Sequence, residues 1–262
     1  MCKTKKNNNT NKDGFKRIES FKIKGGAKGN RIVYADDTPC RTLKKGMFKE
    51  LVVHDGTLVP VMDKKVERHT YFIVGPSGAG KSYYAASLLR EYKKKHSKNP
   101  IFLVSPKTED PVLDKLNPLR VKMNSEIFNP DNPLLQLPEI TNSIWVFDDC
   151  EGINDSQLKQ LIYAFRDKLL TVGRSYRISV ISIHHLMLNN RETKTCIYES
   201  QNLVFFPSSG VNYQLNNYFK RYLGLSQEDI KRINSLPSRA VLIHQLKPGP
   251  RYVLSRDEAY II

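Results

Sequence analysis

The octapeptide at residues 75–82, Gly-Pro-Ser-Gly-Ala-Gly-Lys-Ser, constrains the fold of this chain more than any other feature. It matches the pattern G-x-x-x-x-G-K-[ST] in full and directly follows the apolar run Tyr71–Val74. The pattern needs a strand, a glycine-rich turn and a helix in that order, because backbone N–H groups and the helix N-terminus must point at phosphate oxygens. The sequence therefore predicts a parallel α/β domain with a phosphate site at a strand–helix junction.

Each residue of this phosphate loop has an expected role toward a nucleoside triphosphate. Lys81 is placed to reach the β- and γ-phosphates, and the Ser82 hydroxyl is placed to bind Mg²⁺. We therefore predict ATP and Mg²⁺ as cofactors. The residues expected to line the nucleotide are Gly75, Pro76, Ser77, Gly78, Ala79, Gly80, Lys81 and Ser82.

A second apolar run, Ile144–Phe147, ends in two carboxylates, Asp148 and Asp149. The first is expected to hold Mg²⁺ together with Ser82, and the second to orient the attacking water and accept its proton. A further predicted strand, Ile101–Ser105, lies between the two motifs in the sequence. This arrangement is typical of NTPases with an additional catalytic acid, whereas many nucleotide kinases lack it.

Two adjacent histidines end the next predicted strand, Ile178–Ile183. If this strand lies between the other two, a polar residue at its tip can sense the triphosphate through the attacking water. We expect His185 to be that residue and take His184 as the alternative. A metal site formed by the pair is disfavoured, because adjacent residues of a strand point to opposite faces.

Arg174, in the Gly-Arg dipeptide before this strand, is the candidate arginine finger. Such a residue, supplied from a neighbouring subunit, offsets charge in the transition state of phosphoryl transfer. The nearby Arg166 and Arg177 are rival candidates, and Arg174 could instead be solvated or contact a DNA backbone. The sequence leaves open whether Arg174 acts within its own subunit or on the next one.

The charge of the chain points to a polyanionic partner. The 262 residues carry 42 Lys and Arg against 26 Asp and Glu, a net charge of +16. Residues 1–50 hold 14 of these bases and 5 of the acids, so nine of the 16 excess charges lie in the first fifth. A nucleic acid or an anionic membrane surface fits this excess, although biased gene composition also raises Lys and Asn counts.

Composition divides the chain into three parts. Residues 1–30 read as a flexible basic arm, residues 31–69 as a β-rich segment, and residues 70–262 as the nucleotide-binding domain. In the middle part, Asp55-Gly56 between two β-like runs predicts a hairpin. The proline-rich residues 106–140 are predicted to be a long loop whose basic side chains could face DNA: Lys107, Lys115, Arg120 and Lys122. Helices are predicted over Lys81–Lys95, Asp155–Leu169, Tyr213–Tyr222 and Gln227–Asn234, the last capped by Ser226.

Several classes of protein are disfavoured by the sequence. No run approaches the ~20 apolar residues that a membrane helix needs, and the N-terminus has no apolar segment typical of a secretory signal. The four cysteines form no C-x-x-C pair, which favours reduced thiols over a structural zinc site. These features indicate an intracellular protein without a membrane span.

The order of the motifs resembles the genome-packaging ATPases of large DNA viruses and virophages, including the poxvirus-type enzyme, within the FtsK/HerA superfamily. The similarity runs over about residues 65–262 and is carried by GPSGAGKS, WVFDDC, LLTVGRSYRISVISIHHL, NLVFFPSSG and PSRAVLIHQLKPGP. It implies a P-loop NTPase fold of the ASCE, RecA/FtsK-like kind, and it supports the roles of Lys81, Ser82, Asp148, Asp149 and Arg174. The chain departs from the family pattern at Ser175, where the family often has His, and at His185, where it often has Gln.

The resemblance implies an ATP-driven motor that moves double-stranded DNA into a preformed capsid as a homo-oligomeric ring, a pentamer or a hexamer. Capsid or packaging-vertex proteins are the further expected partners, and the expected location is the host cytoplasm or the viral assembly site, in association with virions. Another FtsK/HerA-type DNA pump is the nearest alternative. From different classes, a small-molecule P-loop kinase and a non-catalytic nucleotide-binding scaffold remain open.

Overall fold

The computed structural model describes residues 20–27, 31–35, 47–48, 50–60, 62, 67–209, 212–245 and 251–262. Most of the expected basic arm, residues 1–19 and 28–30, lies outside the described residues. Within it, however, residues 20–24 form a strand and are not part of an arm. The apolar side chain of Ile23 alternates there with lysines and is buried, which is what a strand covered on one face requires.

The N-terminal part of the chain contributes strands to two different sheets. The strands are β1 (Ser20–Lys24), β2 (Arg31–Ala35), β3 (Met47–Phe48), β4 (Glu50–Val52) and β5 (Thr57–Pro60). Four of them form a small sheet in the order β3-β2-β1-β5, and β4 joins the edge of the main sheet. The predicted Asp55-Gly56 hairpin is therefore wrong: Gly56 has a φ of 98°, but the turn sends β4 and β5 to separate sheets.

The main sheet has a parallel core, as the sequence predicted. Its strands are β6 (Thr70–Val74), β7 (Ile101–Val104), β8 (Leu119–Arg120), β9 (Ile144–Asp148), β10 (Ser179–His184) and β11 (Asn202–Phe205). They lie in the order β11-β6-β10-β9-β7-β8, and every neighbouring pair is parallel. Because β10 lies between β6 and β9, the loops after these three strands meet at one carboxyl edge.

An antiparallel extension widens the sheet beyond β11. It consists of β12 (Val241–Gln245), β13 (Arg251–Leu254) and β14 (Glu258–Ile261), followed by β4 at the edge. Arg232 fastens this edge, since its guanidinium contacts the carboxylates of both Glu50 and Glu258 and lies 3.7 Å from the centroid of the Tyr260 ring. The sequence predicts strands at Ala240–His244 and Arg251–Leu254, which correspond to β12 and β13, but it does not predict β14.

Five helices flank the sheet in the described part of the chain. They are α1 (Lys81–Lys95), α2 (Ser156–Val172), α3 (Asn190–Glu199), α4 (Asn212–Arg221) and α5 (Gln227–Asn234). Asp155 caps α2 by accepting hydrogen bonds from two backbone N–H groups, and Ser226 with Asp229 forms a capping box on α5. The sequence analysis missed α3, which is short and mostly polar and buries only a few side chains, among them Cys196 and Ile197.

The two faces of the sheet bury separate hydrophobic clusters. On one face, Ile162 and Phe165 of α2 pack with residues of α4, α5 and the sheet. On the other face, Leu88 and Leu89 of α1 share a cluster with Ile23 of β1 and other buried side chains. The sheet is thus covered on both sides, which is the general condition for a parallel core and explains its nearly continuous apolar strands.

Candidate active site

The phosphate loop connects β6 to α1 in the geometry that its glycines permit. Gly78 and Gly80 have φ values of 77° and 109°, a region that side-chain-bearing residues rarely occupy. A Cβ built on Gly75 would lie 2.9 Å from the ring of Phe206, so this glycine allows close packing beneath the loop. The Lys81 Nζ donates to the carbonyl oxygens of Gly75 at 2.8 Å and Pro76 at 3.1 Å. These bonds hold the ammonium over the loop, and burial lowers its pKa although nearby carboxylates oppose the shift.

Asp148 ends β9 and is almost fully buried, with 1% of its surface exposed. Burial and the neighbouring charge of Asp149 raise its pKa to about 6. Its Oδ2 atom is buried without a hydrogen-bond partner among the described residues. Such an oxygen is costly to bury, and a bound cation would satisfy it.

Asp149 follows in a left-handed backbone conformation, with φ of 52° and ψ of 25°. For a residue other than glycine this conformation costs on the order of 1 kcal/mol, and Asp tolerates it better than most. It aims the carboxylate at two partners, the His185 Nε2 at 2.9 Å and the Lys107 ammonium. Although burial opposes the shift, the contacts with Lys107 and His185 hold the pKa of Asp149 below its usual range.

Lys107 is the counter-cation of both carboxylates, a role that the sequence analysis missed. Its Nζ contacts Asp149 and lies 3.6 Å from the Asp148 Oδ2. The sequence analysis instead predicts Lys107 as a possible DNA contact of the 106–140 loop. The signal was its position immediately beyond the end of β7, because polar groups that follow neighbouring parallel strands converge at one edge.

The other basic residues of that loop have different surroundings. The Arg120 guanidinium pairs with Asp114 and donates to the Lys107 carbonyl at 2.7 Å, so it fixes the backbone beside the active site. Lys115 and Lys122 are exposed. A DNA contact therefore remains a prediction for these two lysines, whereas Arg120 and Lys107 already have partners within the chain.

The donor set around Asp148 fits Mg²⁺. The ion prefers hard oxygen ligands and usually takes only one or two from the protein, with phosphate oxygens and waters completing the shell. The Asp148 Oδ2, which lacks a hydrogen-bond partner among the described residues, and the Ser82 hydroxyl at the start of α1 are such ligands. Groups of three or more His, Cys, Asp or Glu able to hold a metal are absent from the described residues, so the nucleotide itself would have to complete the site.

The two adjacent histidines have different surroundings. His185 lies at the active site, with its Nδ1 at 3.4 Å from the Lys81 Nζ and its Nε2 on Asp149. His184 is buried, with its Nδ1 at 2.9 Å from Glu151 and its Nε2 at 2.9 Å from the Ser182 hydroxyl. Of the two histidines, it is therefore His185 that lies beside Lys81 and Asp149, and its role as the sensor stays a prediction.

Glu151 connects the two histidines and was also missed from the sequence. One oxygen contacts the His184 ring, and the other accepts the His185 backbone N–H at 3.1 Å. Behind it, the fully buried Arg166 lies with one nitrogen 3.2 Å from the His184 ring and pairs with Asp167. Arg166 is thus buried within its own chain, so it cannot extend toward a neighbouring subunit as an arginine finger would.

Arg174 lies at the amino end of the parallel strands, whereas the phosphate loop lies at their carboxyl end. It precedes β10, its partner Glu67 precedes β6, and the two side chains form an exposed ion pair. β10 has six residues, a length of about 20 Å at the usual rise per residue, and the active-site groups follow its far end. Arg174 is 66% exposed and cannot reach the phosphate loop of its own chain.

Gly173 has a structural reason for preceding Arg174. A Cβ built on Gly173 would lie 2.3 Å from the Leu169 carbonyl oxygen. That oxygen accepts hydrogen bonds from the Gly173 N–H at 3.0 Å and from the buried Arg68 guanidinium at 2.8 Å. The glycine thus permits the tight turn that ends α2 and presents Arg174 to the outside.

We expect Asp148→Asn to stabilise the nucleotide-free protein. The pKa near 6 means that the folded state keeps a proton which the unfolded chain releases near pH 4, so stability falls as pH rises through this window. A rise of that size, which already includes the attraction of Lys107, corresponds to at most about 3 kcal/mol at neutral pH. Urea unfolding without nucleotide should show the variant more stable at pH 7 and the difference shrinking toward pH 4. A variant less stable than the parent at pH 7 would contradict this account.

Taken together, the strand order, the phosphate loop and the carboxylate strand define a P-loop NTPase of the ASCE, RecA/FtsK-like class. No model of a known protein family matches the chain. It is 30% identical over 244 residues to the uncharacterized protein V3 of Sputnik virophage, an alignment that spans 92% of this chain and 93% of that protein. The chain belongs to the same family as this virophage protein.

The fold is shared with solved structures of a viral packaging enzyme. The genome packaging NTPase B204 from Sulfolobus turreted icosahedral virus 2, in complex with AMPPCP, superposes with a TM-score of 0.50 and 11% identity, covering 72% of this chain and 98% of that one. The DNA-packaging ATPase B204 from Sulfolobus turreted icosahedral virus gives 0.50 and 13%, covering 71% and 97%. The resemblance to viral packaging ATPases is thereby confirmed at the level of the fold.

Proposed function

We propose that this protein is an ATP-hydrolysing motor that moves double-stranded viral DNA into a preformed capsid. The observation that carries the proposal is the meeting of Lys81, Asp148, Asp149 and His185 at one edge of a sheet with the fold of a packaging NTPase. ATP is the substrate, and Mg²⁺ held by Ser82 and Asp148 would neutralise charge on the phosphates.

In the proposed reaction, water attacks the γ-phosphorus and the bond to the oxygen bridging the β- and γ-phosphates breaks, giving ADP and phosphate. Asp149, which the contacts with Lys107 and His185 hold ionised, orients the water and accepts its proton. Lys81 stabilises negative charge on the β- and γ-phosphates. His185 lies between Lys81 and Asp149 and reports whether the γ-phosphate is present.

The partner proposed for this ATPase is DNA, on the basis of its charge. The net charge of +16 favours a polyanionic partner. Binding of a polyanion weakens steeply as the salt concentration rises, because the release of condensed counterions then gains less free energy. No helix within the described residues is long and apolar enough to cross a membrane. The similarity to the B204 proteins, which package viral genomes, is the reason for choosing DNA over an anionic membrane.

The proposed assembly is a homo-oligomeric ring, a pentamer or hexamer, in which Arg174 of one subunit completes the site of the next. Its support is the exposure of Arg174 at the edge opposite its own phosphate loop. Capsid or packaging-vertex proteins are the proposed further partners, and the viral assembly site and the virion are the proposed locations.

Substitution of Lys81 by Ala tests the function directly. We expect the variant to lose DNA-stimulated phosphate release almost completely, because the ammonium that contacts the phosphates is gone. Parent and variant are compared at several salt concentrations, with Lys98→Ala, a change at a surface lysine after α1, as the matched control. A parent protein that hydrolyses no ATP with duplex DNA present, or that instead phosphorylates a small acceptor, would refute the motor proposal.

A further inference from the structure

A pocket of about 320 Å³ opens beside the phosphate loop. Its walls are the loop residues Pro76–Ala79, Phe206 and Ser208 after β11, and Arg239 before β12. In sheet order, β11 and β12 lie on one side of β6, whereas β10 and β9 lie on the other. The pocket is therefore on the side of the loop away from the catalytic carboxylates.

This sidedness sets the direction in which a bound nucleoside triphosphate extends. Its γ-phosphate has to lie beside Lys81, Asp149 and His185, which are grouped on the side of β10 and β9. A triphosphate that follows the loop from there carries its α-phosphate and nucleoside toward the side of β11. That is where the pocket lies.

The planar guanidinium group of Arg239 forms part of the pocket wall. Its Nε donates to the Ala79 carbonyl at 2.9 Å and its Nη2 to the Gly78 carbonyl at 3.0 Å. A Cβ built on Gly80 would lie 3.4 Å from the Nε and 3.5 Å from both the Cζ and the Nη2. Three nearly equal distances mean that Gly80 lies against the face of the guanidinium plane. One face is thus covered by the loop, while Arg239 as a whole remains exposed and lines the pocket.

We propose that this pocket is the nucleoside subsite and that the open face of Arg239 stacks on the base. A planar, weakly hydrated guanidinium stacks well on an aromatic ring, and bases stack on such groups whatever their sequence identity. The proposal rests on the nucleotide binding proposed above and extends it to the nucleoside end. It makes Arg239 a binding residue supplied by the antiparallel extension of the sheet.

An arginine that only held the phosphate loop in place would make the same two hydrogen bonds. Holding the loop and stacking on the base can be distinguished by comparing a ligand that has a base with one that lacks it. The affinities of ATP and of inorganic tripolyphosphate are measured by calorimetry for the parent, Arg239→Ala and Arg239→Lys. Stacking on a base is worth about tenfold or more in affinity. We expect both variants to weaken ATP binding by about that factor more than they weaken tripolyphosphate binding, because neither Ala nor Lys has a plane that stacks on the base.

Arg256→Ala is the matched control, since Arg256 is exposed, forms an ion pair with Asp257 and is not among the described residues that line the pocket. It should leave both affinities unchanged. Equal weakening of ATP and tripolyphosphate in the Arg239 variants would assign Arg239 to holding the loop and overturn the subsite. A parent that binds tripolyphosphate as tightly as ATP would also overturn the subsite while leaving the phosphate site intact. A parent that binds neither ligand would refute the proposed function itself.

Discussion

Replacing Arg174 with Ala is expected to lower the maximal rate of DNA-stimulated ATP hydrolysis by about 10³–10⁵-fold, the range typical of an arginine finger. The loss should fall on the rate and spare ATP binding, because Arg174 lies at the edge of the sheet away from its own phosphate loop. Phosphate release and calorimetric ATP affinity, measured on the same preparations, check this. Arg90→Ala, at an exposed position of α1, controls for the loss of a surface arginine.

Mixing variants decides on which subunit Arg174 acts. Subunits with Lys81→Ala keep Arg174, and subunits with Arg174→Ala keep an intact phosphate loop. If the arginine is supplied across an interface, a mixture of the two inactive proteins regains part of the activity, because some interfaces combine an intact loop with an intact finger. Absence of recovery at every mixing ratio, in assemblies shown to contain both variants, would contradict action on the neighbouring subunit.

The second large effect is expected for Asp149→Asn, which should lower the rate by about 10²–10⁴-fold, the contribution of a positioned general base. The amide has nearly the same shape as the carboxylate but cannot accept the proton of water. Because Asp149 does not hold the metal in the proposed arrangement, Mg²⁺-dependent ATP binding should persist in this variant. Single-turnover hydrolysis together with calorimetry separates the two effects.

Two comparison variants sharpen the assignment of Asp149. Asp131→Asn removes an exposed carboxylate from the 106–140 loop and should leave the rate unchanged. Asp148→Asn should weaken Mg²⁺-dependent ATP binding, in contrast to Asp149→Asn. If Asp149→Asn retained more than a tenth of the parent rate, the proton would have to be accepted elsewhere, and His185 would be the nearest group to examine.

The sequence predicted the elements whose patterns are local. The phosphate loop and the Asp148-Asp149 pair each follow an apolar strand, and residues at such strand ends converge once the sheet is parallel. By the same reasoning Lys107 and Glu151 belong at this edge, but a single lysine or glutamate in a polar segment has no pattern of its own. Their roles became visible only from the distances to Asp149 and His185.

Other features depend on contacts between distant parts of the chain. Arg239, which precedes β12, reaches the phosphate loop because β12 pairs with β11 and β11 pairs with β6, the strand that leads into the loop. No local sequence spacing encodes this order of strands. The expected hairpin at Asp55-Gly56 does not form for the same reason: β4 pairs with β14 at the edge of the main sheet, and β5 joins the small sheet. Local turn preferences were overridden there by long-range strand pairing.

The placement of Arg174 and the phosphate loop at opposite edges of one sheet limits how copies of this protein can associate productively. In a two-fold dimer residue i of one subunit contacts residue j of the other and j contacts i, so such a dimer completes both sites only if one patch contains both Arg174 and the phosphate loop. Head-to-tail contacts instead join two different patches, and these contacts either close into a ring or continue as a helical filament. In the proposed arrangement every interface of a closed ring would hold one complete active site. An open chain of subunits would leave one terminal phosphate loop without an arginine, so the number of complete active sites would equal the number of interfaces and not the number of molecules.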